Sequence, residues 1–301
     1  MLNFFRPVER FLIHVICFLV LTSISLCARA QSIQSIEQRR HDYQNIRQSR
    51  FSLLPHKPMY LMPFVYNWVP HEDIYHEVKK VDDKGDGDFY KKNEAEFQIS
   101  FSIPVVKDIG DRKWDLMFAY THHAYWQVYN SDWSRPFRET NYMPEFFSRY
   151  VYSETKKLWG VELHALDVGY VHQSNGQIQV LSRSWNRLFV RSFIEGYGVR
   201  ALVTGWYRFK EKKDQDDNRD IHNFMGYGEV ELIKSAKKHT FHFKMPLFAN
   251  HPSYDFKYSY PLNDGIRWFI NYQSGYGHSL IEYNRYTQRI GAGFLLDSIL
   301  Y

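Results

Sequence analysis

Beyond residue 30 this chain has no cysteine, because its only two are Cys17 and Cys27. Disulfide staples and thiolate catalysis are therefore excluded from everything after that point. Also missing after residue 30 is any apolar run of the roughly 18 residues that a membrane-spanning helix needs. No Pro/Ser-rich linker divides the sequence and no long repeat recurs. Charge of one sign is scarce too. The 38 Lys and Arg nearly balance 33 Asp and Glu, for a net charge of +5. So mild an excess does not suggest a partner in nucleic acid.

What is present begins with a leader. Arg6 and Arg10 precede a mostly apolar stretch from Phe11 to Leu26, and Ala28-Arg29-Ala30 has the small-x-small form of a cleavage site. Residues 1–30 therefore read as an export signal removed after Ala30. The signal carries three arginines and one glutamate, so its removal lowers the net charge from +5 to +3. Residues 31–56 read as a polar N-terminal periplasmic segment of undecided structure, and residues 57–301 as the body of the protein.

That body is rich in aromatics, with 23 Tyr and 23 Phe, and its apolar residues fall on alternating positions. From Trp114 to Val128 the even positions are Trp, Leu, Phe, Tyr, His, Ala, Trp and Val, none with a fixed charge, while the odd ones include Asp115, Thr121, His123 and Gln127. A tilted strand of about ten residues crosses a bilayer. Comparable runs lie at about 57–68, 94–106, 143–153, 158–173, 183–195, 199–209, 223–234, 239–247, 253–261, 265–275 and 287–298. With 113–128 they make twelve. The sequence thus predicts an all-β fold, a twelve-stranded antiparallel transmembrane β-barrel in a bacterial outer membrane. Closure removes the strand edges that lipid does not tolerate.

The gaps between these runs alternate in length, and barrels of this kind have short periplasmic turns and long outer loops. The stretches 69–93, 129–142, 174–182, 210–222 and 276–286 become outer loops. The charged tracts Lys79–Lys92 and Lys210–Asp220 read as solvated loops with no specific role. The C-terminal Tyr301 is a terminal aromatic of the kind outer-membrane barrels usually present to their assembly machinery.

The segment Gly169-Tyr-Val-His-Gln-Ser-Asn-Gly176 breaks the pattern in an informative way. Asp167 cannot face lipid cheaply, so Leu166, Val168 and Tyr170 face outward, and His172 and Ser174 continue their row. On the next strand Arg187, Arg191 and Glu195 claim the lumen, which puts Asn186 outside as well. Ser174 can attack an ester carbonyl once His172 takes its proton, with Asn186 holding the imidazole tautomer. Gly176 permits close backbone approach, and its N–H can donate to the oxyanion. By spacing alone, the same residues also read as an ordinary polar hairpin at the level of the lipid headgroups.

The wider strings His172-Gln-Ser-Asn-Gly176, Ser182-Arg-Ser-Trp-Asn-Arg187, Pro136-Phe-Arg-Glu-Thr-Asn-Tyr142 and Ser274-Gly-Tyr-Gly-His-Ser-Leu-Ile281 resemble those of the outer-membrane phospholipase A family, from about residue 95 to 301. The resemblance implies a calcium-dependent hydrolase of phospholipid acyl esters, of phospholipase A1 or A2 type, active as a reversible homodimer. It places the catalytic histidine at His172, the serine at Ser174, the asparagine at Asn186 and an oxyanion donor at Gly176. It implies Ca2+ ligands from the carbonyl of Gln177 and the hydroxyl of Ser182, with the carbonyl of Ser134 coming from a second copy. Three positions depart from the family pattern. Gln177 and Gln179 stand where a basic and an acidic residue are usual, and His122 stands where a glutamine commonly bonds across the dimer. The fold alone equally suits a non-enzymatic channel or a surface-binding barrel. His122 and His123 cannot share a metal, nor can His239 and His242, because each pair faces opposite sides of its strand.

Overall fold

The computed structural model describes residues 36–49, 52–76, 87–111, 114–212 and 216–296. The expected export signal, the tract 77–86 and the terminal Tyr301 lie outside the described residues. Twelve antiparallel strands form the barrel: β1 (Tyr60–Asn67), β2 (Asn93–Val106), β3 (Trp114–Trp126), β4 (Phe137–Leu158), β5 (Val161–Ser174), β6 (Ser184–Gly196), β7 (Val199–Arg208), β8 (Gly228–Ala236), β9 (His239–Leu247), β10 (Tyr254–Pro261), β11 (Ile266–Gly275) and β12 (Thr287–Leu296). Each pairs with the next, and β12 returns to β1 through Arg289↔Asn67 and Ile290↔Tyr66, which closes the sheet. A short segment, Leu54–Pro55, adds to β2 opposite Phe101 and Ser102.

The strands alternate as lipid on one side and a polar interior on the other require. On β3 the odd residues Asp115, Met117, Ala119 and Thr121 are buried. On β5 Asp167 and Val171 are buried while Val168 and Tyr170 are exposed, and on β6 Leu188 and Val190 are exposed. Three inner turns have just two residues, among them Lys237-Lys238. Trp159-Gly160 and Tyr197-Gly198 are left-handed at both positions, with φ of 50° and 80°, then 53° and 67°. That geometry matches the twist of a tight hairpin.

The interior is filled rather than open. Arg138 reaches Glu94 at 2.9 Å and Glu282 at 2.8 Å, Arg149 reaches Asp167 at 2.7 Å, and Arg191 reaches Glu145 at 2.8 Å. Buried charges of this kind persist only when paired. The helix α1 (Ile36–Gln48) closes on the same interior. Its Tyr43 is buried with Leu54, Met117, Ala119 and Phe147, and Arg47 bonds Asp115 at 2.6 Å and Asp108 at 2.7 Å. The segment expected to be polar and of undecided structure thus contains a helix anchored by one tyrosine and one arginine.

Three boundaries differ most from the sequence reading. The strand β4 runs on to Leu158, so the turn into β5 is Trp159-Gly160 and not the expected gap between 153 and 158. The strand β4 starts at Phe137, within the stretch 129–142 expected to be loop. Arg138, Glu139 and Asn141 are nearly fully buried there, and their polarity hides the strand from any apolar pattern. Conversely, 223–234 was expected to be strand throughout. His222–Met225 is instead a helical turn whose Phe224 and Met225 pack on Ile221, Leu280 and Tyr283, and β8 begins only at Gly228.

Candidate active site

The pairing of β5 with β6 sets His172 directly opposite Asn186 and Ser174 opposite Ser184. Their neighbours on the inner face are locked. Gln173 Oε1 accepts from Trp185 Nε1 at 3.0 Å and from Arg187 at 2.9 Å, and Trp185 is fully buried. With the odd row fixed inward, the even row carrying His172, Ser174 and Asn186 faces out. The three residues are half-buried there, beside the exposed apolar side chains Val168, Leu188 and Val190.

His172 Nδ1 lies 2.8 Å from Asn186 Oδ1. Two further groups hold the same amide. The Tyr170 hydroxyl donates to Oδ1 at 2.5 Å, and Nδ2 donates to Glu211 Oε1 at 3.0 Å. Ser174 lies two residues beyond His172 on the same row, opposite Tyr142 on β4. Its hydroxyl makes no hydrogen bond to His172 among the described contacts, and such contacts often tighten only when substrate is bound.

Beyond Ser174 the chain turns through a loop, 175–183, that Asn175 organises. Its N–H donates to the Arg183 carbonyl at 3.0 Å, its Nδ2 to the Leu181 carbonyl at 2.8 Å, and its Oδ1 accepts from the Arg183 N–H at 2.9 Å. Gly176 has φ of 64°. A Cβ there would meet the Tyr142 ring at 2.9 Å, so glycine is required both by conformation and by space. Gln177 is exposed and Ser182 half-buried on this same loop. Ser134 ends a short turn between β3 and β4 in a left-handed conformation, φ 56°. The residues expected around an ester carbonyl therefore come together on one hairpin. Gln177 and Ser182 share the adjoining loop, whereas Ser134 belongs to a different one.

The sequence reading missed Tyr170, Asn175 and Glu211. Tyr170 was legible as a member of the outward row, and Asn175 as the first residue of an Asn-Gly turn. Glu211 carried no signal, since it lies in the tract Lys210–Asp220 that reads as a solvated loop.

Known proteins resemble this chain in sequence and in fold. A family model described as "Phospholipase A1" matches residues 36–296. A putative phospholipase A1 of Neisseria meningitidis is 32% identical over 250 residues, which are 81% of this chain and 65% of that protein. The phospholipase A1 of Klebsiella pneumoniae is 31% identical over 294 residues, covering 91% of this chain and 96% of the relative. Among solved structures, the outer membrane phospholipase A of Escherichia coli superposes with a TM-score of 0.75 at 30% identity, covering 84% of this chain and 94% of that one. The Salmonella typhi outer membrane phospholipase, a dimer with bound calcium, gives 0.76 at 30% identity, covering 85% and 97%.

Proposed function

The chain belongs to the phospholipase A1 family, outer-membrane ester hydrolases that act on phospholipids, and from that premise we propose that it cleaves phospholipid acyl esters with Ser174, His172 and Asn186. The observation that carries this reading is the 2.8 Å contact between His172 and Asn186 on the lipid-facing wall of the barrel. With Nδ1 held by Asn186, the other ring nitrogen takes the proton of Ser174 as its hydroxyl attacks the acyl carbonyl. The Gly176 N–H borders the place where negative charge develops on that oxygen. The tetrahedral adduct then expels the lysolipid alcohol with the proton returned by His172, and water repeats the sequence to free the fatty acid. Exposed Val168, Leu188 and Val190 offer a path for an acyl chain that never leaves the apolar phase.

The proposed Ca2+ would be held by the Gln177 carbonyl and the Ser182 hydroxyl, with the Ser134 carbonyl of a second copy. These are neutral, hard oxygen donors, so they suit Ca2+ in kind. Bound there, the cation would lend positive charge beside the developing oxyanion. The sequence 174–184 contains no Asp or Glu, so the donors fit a weakly held ion. A homodimer follows from the same reading, because one copy lacks the third donor. The solved dimer with calcium supports both points by similarity.

Hydrolysis of a defined phospholipid in detergent micelles, with Ca2+ and with chelator, tests the proposal. Ca2+-dependent release of fatty acid is expected. A channel would instead pass solutes, and the ion pairs that fill the interior favour the enzyme over that alternative.

A further inference from the structure

A neutral amide stabilises an imidazolium less than a carboxylate does. In this protein a carboxylate stands one step behind the amide. The loop leaving β7 stays tied to β6, since the Phe209 N–H donates to the Asn186 carbonyl at 2.9 Å. Two residues further on, Glu211 is half-buried between exposed Lys210 and Lys212, and its Oε1 accepts from Asn186 Nδ2 at 3.0 Å.

This contact decides the orientation of everything in front of it. An ionised carboxylate only accepts hydrogen bonds. Asn186 must therefore turn its NH2 toward Glu211 and its oxygen the other way. That oxygen meets the Tyr170 hydroxyl and His172 Nδ1. A ring nitrogen facing an acceptor must carry the proton, so Nδ1 is protonated and Nε2 is left as the basic nitrogen.

We propose that Glu211 is a positioning residue for hydrolysis, the rear member of a Ser174–His172–Asn186–Glu211 series. It fixes the amide, selects the tautomer of His172 and places a full negative charge behind the imidazolium that forms during the reaction. The inference rests on the phospholipase reading above. The Tyr170 hydroxyl bonds the same amide, Tyr142 lies opposite Ser174 on the neighbouring strand, and Lys210 and Lys212 flank Glu211 in the chain. Glu211 is the carboxylate among them.

The test uses the full-length barrel in micelles, as wild type, Glu211→Gln, Glu211→Asp and Glu211→Ala. It measures kcat and KM against pH, and the titration of the His172 ring by NMR in a Ser174→Ala background. Loss of the charge in Glu211→Gln should lower kcat by about 3- to 10-fold at unchanged KM and move the His172 titration down by about half a unit to one unit, each unit being tenfold. Glu211→Ala should fall further, because the amide also loses its orientation, and Glu211→Asp should recover part of the loss. Unchanged kcat and titration in all variants would overturn the proposal. So would a loss in Glu211→Ala that Gln restores fully with the titration unmoved, since that pattern is merely structural. Absence of hydrolysis in the wild type would instead count against the phospholipase reading, and the ring titration would still judge Glu211.

Discussion

His172 and Asn186 face each other across the β5–β6 register with Nδ1 and Oδ1 2.8 Å apart. Neither is free to turn inward, because their neighbours Gln173 and Trp185 are bonded together on the lumen side. Replacing Asn186 by Ala should remove the restraint on the imidazole without opening the barrel. A loss in kcat of roughly 10- to 100-fold is expected, below the full contribution of a general base. Single-turnover kinetics on the folded variant would check it, and a wild-type rate would show that the amide does not orient the ring.

Gly176 offers a second test. Its φ is 64°, and a Cβ would press on the Tyr142 ring at 2.9 Å. Gly176→Ala should strain the backbone by roughly 1–2 kcal/mol and displace the N–H proposed to border the oxyanion. Activity should fall while the unfolding midpoint in urea drops only modestly. Equal activity in the variant would mean that this N–H has no part in the reaction.

Calcium demand should reflect the charge of the donor set. Because Gln179 stands where the family pattern has an acid, half-saturation should need more free Ca2+ than in relatives that keep the acid. Gln179→Asp should lower that requirement, because affinity follows ligand charge. The shift should also be visible without activity, as Ca2+-dependent crosslinking of the dimer. A half-saturation no higher than the relatives' would reject the argument.

The helix α1 should make the barrel sensitive to alkali. Tyr43 is pushed up to about 12, chiefly by burial, with the Asp115 carboxylate acting in the same direction. A raised value means that the folded state prefers the neutral phenol. This contribution is complete below pH 10 and is lost as pH rises from 10 toward 12. At about 1.4 kcal/mol per unit the loss approaches ~3 kcal/mol. Urea midpoints measured between pH 9 and 12 should fall in the wild type and fall less in Tyr43→Phe. Parallel curves would exclude Tyr43 as the cause.

The barrel interior should tolerate single deletions poorly. Arg138 is fully buried between Glu94 and Glu282. Arg138→Ala leaves those carboxylates without their partner, which should cost about 3–5 kcal/mol. Denaturant unfolding in micelles would measure it.

Much of this architecture is legible in the sequence, for a physical reason. Lipid enforces alternation so strictly that Asp167 alone tells which face of β5 is inside, and Arg187, Arg191 and Glu195 do the same for β6. That is why the outward placement of His172, Ser174 and Asn186 follows from charge, against the apolar look of both faces of β6. The same strictness fails where the interior is polar. Arg138, Glu139 and Asn141 resemble loop because their partners are distant in the chain. Phe224 and Met225 resemble strand because they are apolar, although they pack on Leu280 and Tyr283 from a helical turn. Tyr43 and Arg47 anchor α1 through Asp115, a contact far along the sequence. Glu211 is the sharpest case. Nothing local separates it from its lysine neighbours, and only the β6–β7 pairing, carried past Arg208 by the Phe209 N–H to Asn186 carbonyl bond, brings it to Asn186.

The most direct measurement compares wild type with Ser174→Ala, both verified as folded barrels by their heat-shifted gel mobility, on one phospholipid at saturating calcium. The account predicts fatty-acid release by the wild type and none above background by the variant. Equal release by the two proteins would contradict it.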